Sequence, residues 1–231
     1  MSIEVRRADS RFVTTAPGRT TRHSFSFGAY YDPGNVAFGE LVCHNDDVVD
    51  PGFGYDDHPH RDMEIVTWVL SGALSHRDSA GRSGVTVPGT VQVMSAGDGI
   101  VHSETVEPGA GVTRFVQTWV RPDSPGGAPA YSSADVPVGS GWVPIASGSH
   151  PDAARIGARG ATLWVAEPHA VGSALILPEA PQIHLFVATG AVGVGASEVA
   201  VLGEGDSARL TEEDVILRID VPSQLLAWTF A

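Results

Sequence analysis

The sequence predicts an all-β protein whose short strands form a sandwich or a barrel. Residues of high β-propensity, chiefly Val, Ile, Thr and aromatic residues, are concentrated in short runs along the chain. The 27 glycines and 16 prolines are spread between these runs as turn signals and do not form one tract. Helical signals are few, and "TEEDV" (211–215) predicts one helical turn at most.

Six runs have the composition and length of strands. In chain order they are EIVTWVL (64–70), GVTVPGTVQVM (84–94), TRFVQTWV (113–120), ATLWVA (161–166), IHLFVATGAVGVG (183–195) and DVILRIDVPSQLLAWTF (214–230).

The segment RPDSPGGAPAYSSADVPVGSG (121–141) separates the first three runs from the last three. It is rich in Pro, Gly, Ser and Ala and shows neither a helical nor a strand period. We interpret it as a connection between an N-terminal and a C-terminal β-unit, which a chain of 231 residues can accommodate. A long surface loop inside one domain is the alternative interpretation.

Charge and composition restrict the function and the location. Fourteen basic and 27 acidic residues give a net charge of −13, which argues against direct binding to nucleic acid or to an anionic membrane. We expect a cytoplasmic protein, because no apolar run is long enough to cross a bilayer and the N-terminal residues are too polar for a signal peptide. The single cysteine, Cys43, cannot form an intrachain disulfide or a thiolate cluster, and we expect it to be a buried small hydrophobic residue.

Two close pairs of potential metal ligands stand out. His58 and His60 in "HPH" are two positions apart, so in a strand their side chains project from one face, about 7 Å apart. Pro59 between them has no N–H to donate and places this segment at an edge, a strand start or a rim. His102 and Glu104 in "HSE" repeat the spacing after the glycine-rich "SAGDGI".

If the two ligand strands meet across a small barrel, three imidazoles and one carboxylate converge. Such a set suits a borderline divalent metal such as Fe, Mn, Ni, Cu or Zn. Four protein ligands leave two positions of an octahedral site open for substrate or dioxygen.

The same residues carry a family resemblance. The segments GFGYDDHPHRDMEIVTWVLSG (52–72) and PGTVQVMSAGDGIVHSE (88–104) resemble the first and second cupin motifs. Together with HSFSFGAYYDP (23–33), LSHRDSAG (74–81) and QTWVRPDSPGGAPAY (117–131), they resemble the pirin family. The resemblance is dense over residues 20–131 and loose elsewhere, and the length is similar to that of bacterial pirin-like quercetin 2,3-dioxygenases.

The resemblance implies a bicupin, with two stacked antiparallel β-barrels and the metal in the first. We expect residues 1–125 to form the N-terminal metal-binding barrel, and residues 126–231 to form a linker and a C-terminal barrel without metal. The pirin pattern implies His58, His60, His102 and Glu104 as ligands of one divalent metal per chain. Iron is the first expectation, with Mn, Co, Ni, Cu or Zn as alternatives.

Other polar residues near these motifs are assigned different roles. General cupins take the carboxylate from the first motif, which here is Glu64; we expect Glu64 instead to lie behind the ligands and to orient a histidine. His23 and His76 are expected to make structural hydrogen bonds. His44, Asp46 and Asp47 are read as turn residues, and His184 as a histidine that is not a ligand.

Two functions follow from the resemblance. The first is a dioxygenase that cleaves a flavonol such as quercetin with O2 and releases CO. Its partners would be a small aromatic substrate and O2, and Glu104 would accept the proton of the substrate hydroxyl. The alternative is an iron-dependent, redox-sensing regulatory protein that binds a transcription factor or a metabolic enzyme.

Overall fold

The computed structural model describes residues 2–195, 200–211 and 215–231. Within these ranges the chain is almost entirely β-structure, and its one helical element is a 3-10 turn at Ala8–Ser10. The predicted all-β class is therefore confirmed. Of the helical turn predicted at residues 211–215, residues 212–214 lie outside the described residues, and Thr211 ends a strand. The described ranges contain no helix that is long and apolar enough to cross a membrane.

The strands are numbered in chain order. The first twelve are β1 (Ser2–Arg6), β2 (Phe12–Ala16), β3 (Arg19–His23), β4 (Leu41–Val49), β5 (Gly54–His60), β6 (Glu64–Ser71), β7 (Leu74–Asp78), β8 (Ser83–Thr86), β9 (Thr90–Ser95), β10 (Ile100–Thr105), β11 (Thr113–Val120) and β12 (Ala130–Asp135). The others are β13 (Val143–Ser147), β14 (Ala154–Arg155), β15 (Ala161–Ala166), β16 (Ala174–Ile176), β17 (Gln182–Val194), β18 (Ala200–Gly203), β19 (Ser207–Thr211) and β20 (Ile216–Phe230).

The chain forms two compact units, which we call the first and the second unit. The first unit contains residues 12–136 and 154–159, and the second contains the described residues among 2–11, 137–153 and 160–231. The domain boundary expected between residues 125 and 126 stays a prediction.

The first unit is a sandwich of two antiparallel sheets. One sheet has seven strands in the order β12-β9-β6-β11-β4-β3-β2, and the other has four in the order β5-β10-β7-β8. Apolar side chains fill part of the space between them. Val69 and Phe115 of the larger sheet pack with Leu74 of the smaller, and Ile65 packs with Ile100 in the same way.

The second unit is built around its two longest strands, β17 and β20, which pair antiparallel. The strand order is β1-β19-β17-β20-β15-β13, with β16 added to β20 and β18 to β17. Its core contains Leu185 and Val187 from β17 and Leu217, Ile219 and Leu225 from β20. These strands are rich in Val, Ile and Leu, which accounts for their clear signal in the sequence.

Each of the six predicted runs contains a strand. The structure differs from the prediction in two polar segments, which form β4 and β12. The run GVTVPGTVQVM is two strands, β8 and β9, separated by a turn in which Thr90 N donates to Val87 O. His44, Asp46 and Asp47, expected in a turn, lie within β4 and are buried, so that prediction is wrong. Part of the segment expected to be a linker forms β12, which pairs with β9.

Candidate metal centre

Three of the four predicted ligands come together on two neighbouring strands. His58 and His60 project from β5, and His102 projects from β10, where it is paired directly with His58. The ring centroids are 4.4 Å apart for His58 and His102 and 4.9 Å apart for each of the other two pairs. The strands are thus adjacent in one sheet, whereas the sequence suggested that they meet across a barrel. One ring nitrogen from each histidine lies within 4.8 Å of the other two.

The hydrogen-bonding state of these rings suits metal binding. His58 Nδ1 lies 2.8 Å from the backbone oxygen of Asp56, so Nδ1 donates and Nε2 keeps its lone pair. The Nε2 atoms of His60 and His102 are buried and have no hydrogen-bond partner among the described residues. A buried nitrogen without a partner is unfavourable unless something else binds it. These residues therefore fit a divalent metal.

Burial also keeps the rings of His60 and His102 neutral, which is the form that binds metals. Desolvation, and then repulsion from His58, lowers the pKa of His60 to about 4. Desolvation lowers the pKa of His102 to about 2, with further contributions from His58, His60 and His76.

Glu104 is buried beside this group, two positions after His102 on β10. Its carboxylate accepts hydrogen bonds from Gln117 Nε2 at 2.6 Å and from Gln92 Nε2 at 3.3 Å. Desolvation raises its pKa to about 7; the Gln117 hydrogen bond opposes this rise, and the charge of Asp47 adds to it. Glu104 clusters within 4.8 Å with His76 and His102, not with His58 and His60, so the four-ligand set stays a prediction.

His76 belongs to the centre, although the sequence suggested only a structural hydrogen bond. It lies on β7 opposite Glu104, and its Nδ1 is 3.3 Å from His102 Nδ1. Its ring stacks on Tyr131, with centroids 4.6 Å apart and planes at 18°. The sequence could not show this, because the position of His76 depends on the register between β7 and β10.

Comparison with known proteins identifies the family. The family model described as Pirin matches residues 5–120. The chain belongs to the pirin family. A Mycobacterium bovis protein, provisionally named a quercetin 2,3-dioxygenase, is 45% identical over 234 residues that cover 98% of this pirin and 94% of the relative.

Two further matches from Escherichia coli add to this comparison. A protein named quercetin 2,3-dioxygenase from strain K12 is 40% identical over 129 residues, which cover 56% of each chain. The crystal structure of the bacterial pirin YhhW in complex with nickel(II) matches with a TM-score of 0.90 at 28% identity, and covers 99% of both chains. The pirin resemblance inferred from the motifs is thus confirmed.

The opposite sheet of this pirin supplies side chains that the sequence analysis did not single out. Trp119 Nε1 donates to Gln117 Oε1 at 3.1 Å, which turns the amide nitrogen of Gln117 towards Glu104. The Trp119 ring also makes an edge contact with His60, at a centroid distance of 4.8 Å. The available signal was a glutamine at the centre of each of two strongly apolar strands, at Gln92 and Gln117.

Glu64 lies away from the centre of this pirin. Its carboxylate accepts hydrogen bonds from Ser95 Oγ at 2.5 Å and from the backbone N–H of Gly157. Its neighbour Ile65 points into the sandwich, so Glu64 points to the opposite face of β6. The expectation that Glu64 orients a histidine is wrong. The histidines lie on β5 and Glu64 lies on β6, and these strands belong to different sheets. The alternation of side chains between the two faces of a strand therefore does not continue from His60 to Glu64.

The remaining predicted roles have simple structural counterparts. His23 bonds Thr14 Oγ1 through Nε2 at 2.8 Å and Asn45 Oδ1 through Nδ1 at 2.9 Å, as expected for a structural residue. Cys43 is buried, as predicted. His184 is buried in β17 of the second unit. Both groups of clustered potential ligands found among the described residues are in the first unit.

Proposed function

We propose that this pirin is a metal-dependent dioxygenase that opens a flavonol such as quercetin with O2 and releases CO. The observation that carries the proposal is the convergence of His58, His60 and His102 beside the buried carboxylate of Glu104. The Nε2 atoms of His60 and His102 are buried and have no hydrogen-bond partner among the described residues. The names of the M. bovis and E. coli relatives support the reaction and the substrate class.

We further propose that His58, His60, His102 and Glu104 hold one divalent metal. The bound metal would supply Lewis acidity and a template for substrate and dioxygen. Iron is our first expectation for this chain, and nickel(II), which the structure of E. coli YhhW contains, is a direct alternative.

The chain's own residues have two tasks in this reaction. Glu104 accepts the proton of the flavonol 3-hydroxyl, while Gln117 and Gln92 hold its carboxylate in place. Trp119, beside His60, provides an aromatic surface against which a flat substrate can pack.

The test is an anaerobic-to-aerobic quercetin assay on purified full-length protein. Fe, Mn, Co, Ni and Cu are loaded separately, and each metal content is verified by elemental analysis. We expect the flavonol absorbance to fall and CO to form only after air is admitted. No loss of absorbance with any verified metal would contradict the proposal and leave the regulatory function as the candidate.

A further inference from the structure

We propose that His76 is a positioning residue that fixes the tautomer of His102, so that the Nε2 lone pair of His102 faces the metal. The inference rests on the proposed function only in requiring that His58, His60 and His102 bind a metal. It does not depend on which substrate is used.

Three buried side chains lie in a row behind the centre. Asp78 and His76 are both on β7, and His102 is opposite Asp78 on β10. Asp78 Oδ2 lies 3.6 Å from His76 Nε2, which is an electrostatic contact longer than a hydrogen bond, and both side chains are fully shielded from solvent. His76 Nδ1 then lies 3.3 Å from His102 Nδ1.

The proton positions follow from the chemistry of these groups. A carboxylate can only accept, so its negative charge favours the tautomer in which His76 carries its hydrogen on Nε2, facing Asp78. The Nδ1 atom of a neutral His76 is then an acceptor. His76 Nδ1 and His102 Nδ1 face each other, and they attract only if one of them carries a hydrogen and donates it to the other. Because His76 Nδ1 is the acceptor, His102 carries its hydrogen on Nδ1. The Nε2 atom of His102 is left with its lone pair, and it is the atom that has no partner among the described residues.

The His76 ring is held in this orientation by its neighbours. Tyr131 stacks on one face, and its hydroxyl donates to Gln92 Oε1 at 3.2 Å. The Tyr131 hydroxyl occupies the space that a Cβ atom at Gly84 would need. A glycine on β8 and a tyrosine on β12 thus fix the plane of the ring that contacts His102.

The tautomer of His58 is also fixed by a hydrogen bond from Nδ1, but the acceptor is a backbone oxygen. Its Nδ1 donates to the backbone oxygen of Asp56, an acceptor that no side-chain substitution removes. Groups that accept the second N–H of a metal-binding histidine orient the ring, and their loss typically weakens metal binding about 10- to 100-fold. His76 is therefore the acceptor that mutagenesis can test.

The experiment compares His76→Gln with His76→Phe in the full-length protein, with Zn(II) as the probe. Gln retains an oxygen that can accept from His102 Nδ1, whereas Phe retains the flat ring against Tyr131 and removes the acceptor. We expect His76→Phe to weaken Zn(II) binding about 10- to 100-fold in a competition assay with a chelator. His76→Gln should stay within a few-fold of the wild type.

The second measurement identifies the tautomer directly. In ¹⁵N–¹H spectra that detect the histidine ring nitrogens, His102 of the metal-free wild type should carry its hydrogen on Nδ1. This readout needs no variant, so it applies even if His76→Phe does not fold.

Three results would overturn the inference: a hydrogen on Nε2 of His102 in the wild type, Zn(II) binding by His76→Phe equal to wild type, or an equal loss in His76→Gln and His76→Phe. If the tautomer and the affinities are as expected while quercetin is not consumed, the proposed function fails and the role of His76 stands.

Discussion

Glu104 is the residue on which the proposed chemistry most depends. Replacing it by Gln keeps the volume and an oxygen that can approach the metal, but a neutral amide cannot accept a proton near neutral pH. We expect Glu104→Gln to lose a moderate part of its metal content and to lower kcat by roughly 10²-fold or more. The measurement is quercetin turnover normalised to the metal content of each preparation.

Glu64→Gln is the matched control. Glu64 is also a buried glutamate of the first unit, but its partners are Ser95 and Gly157 on the other side of β6. Its metal content and turnover should stay close to those of the wild type. If Glu64→Gln lost both while Glu104→Gln kept both, our assignment of the carboxylate would be wrong.

Asp47 gives the metal-free protein a specific pH dependence. Burial raises its pKa to about 6, although Thr21 and Tyr55 donate to its carboxylate and oppose the rise. Between about pH 4 and 6 the folded state therefore binds more protons than the unfolded state, and the free energy of unfolding falls as pH rises. The loss should be roughly 3 kcal/mol at most.

Asp47→Asn should remove this part of the pH dependence. The measurement is the unfolding free energy from chemical denaturation at several pH values from 4 to 7. Asp57→Asn, which changes an exposed carboxylate, should behave like the wild type. An unchanged slope in Asp47→Asn would show that Asp47 does not titrate in this window.

The sequence predicts the residues of the centre that lie in short motifs. It does not predict the residues that reach the centre only because two strands pair or two sheets pack. His58, His60 and His102 were found because a two-residue spacing places side chains on one face of a strand. His76 and Gln117 reach the centre only through the register of β7 with β10 and the packing of one sheet on the other. No local pattern contains that information.

At the scale of the strands, the centre depends on the close pairing of β5 and β10. A Cβ at Gly54, the first residue of β5, would overlap the backbone oxygen of Glu104. Gly54→Ala should therefore push the two strands apart at this end and separate His58 from His102. We expect a loss of about 1–3 kcal/mol in stability together with weaker metal binding.

Gly109→Ala is the matched control, because a Cβ at Gly109 has nothing within 4 Å. Thermal unfolding and Zn(II) titration of the two variants provide the comparison. Equal stability of Gly54→Ala and Gly109→Ala would contradict the prediction, because it would mean that β5 and β10 can accommodate a Cβ at position 54.

Strand β4 shows why a polar strand was read as a turn. Its residues Asn45, Asp46 and Asp47 have low β-propensity, so the local sequence predicts a loop. In the fold, Asp46 forms a bidentate ion pair with Arg114 on β11. Arg114 Nε donates to Asp46 Oδ1 at 2.9 Å, and Arg114 Nη2 donates to Asp46 Oδ2 at 3.0 Å. Partners on neighbouring strands thus satisfy these polar groups, and tertiary structure overrides propensity.

At the scale of the whole chain, we expect one metal equivalent per chain. Elemental analysis should give a ratio near one, and His102→Ala should abolish binding because it removes the histidine shared by both ligand clusters. A ratio of two would contradict this expectation.

Metal binding should also stabilise the fold. A ligand that binds only the folded state, at a free concentration of 100 times its Kd, adds about 2.7 kcal/mol. Thermal unfolding should therefore shift upward when metal is added to the wild type, and a chelator should reverse the shift. An equal shift in His102→Ala would indicate binding elsewhere.

The overall class of the fold was accessible from composition, whereas its long-range connections were not. Short β-prone runs separated by Gly and Pro are enough to predict an all-β chain. The pairing of β1 with β19 joins residues about 200 positions apart, Ser2 and Thr211 among them. Nothing in the local sequence of either strand identifies its partner.

The position of β12 has a practical consequence for truncation. The family match ends at residue 120, and a cut there or at residue 125 would remove Tyr131 together with the strand that carries it. Strand β9 would then become an open edge, with unpaired backbone groups that can recruit another chain. An N-terminal fragment that retains the aromatic support of His76 must extend at least to Asp135, and shorter fragments should aggregate.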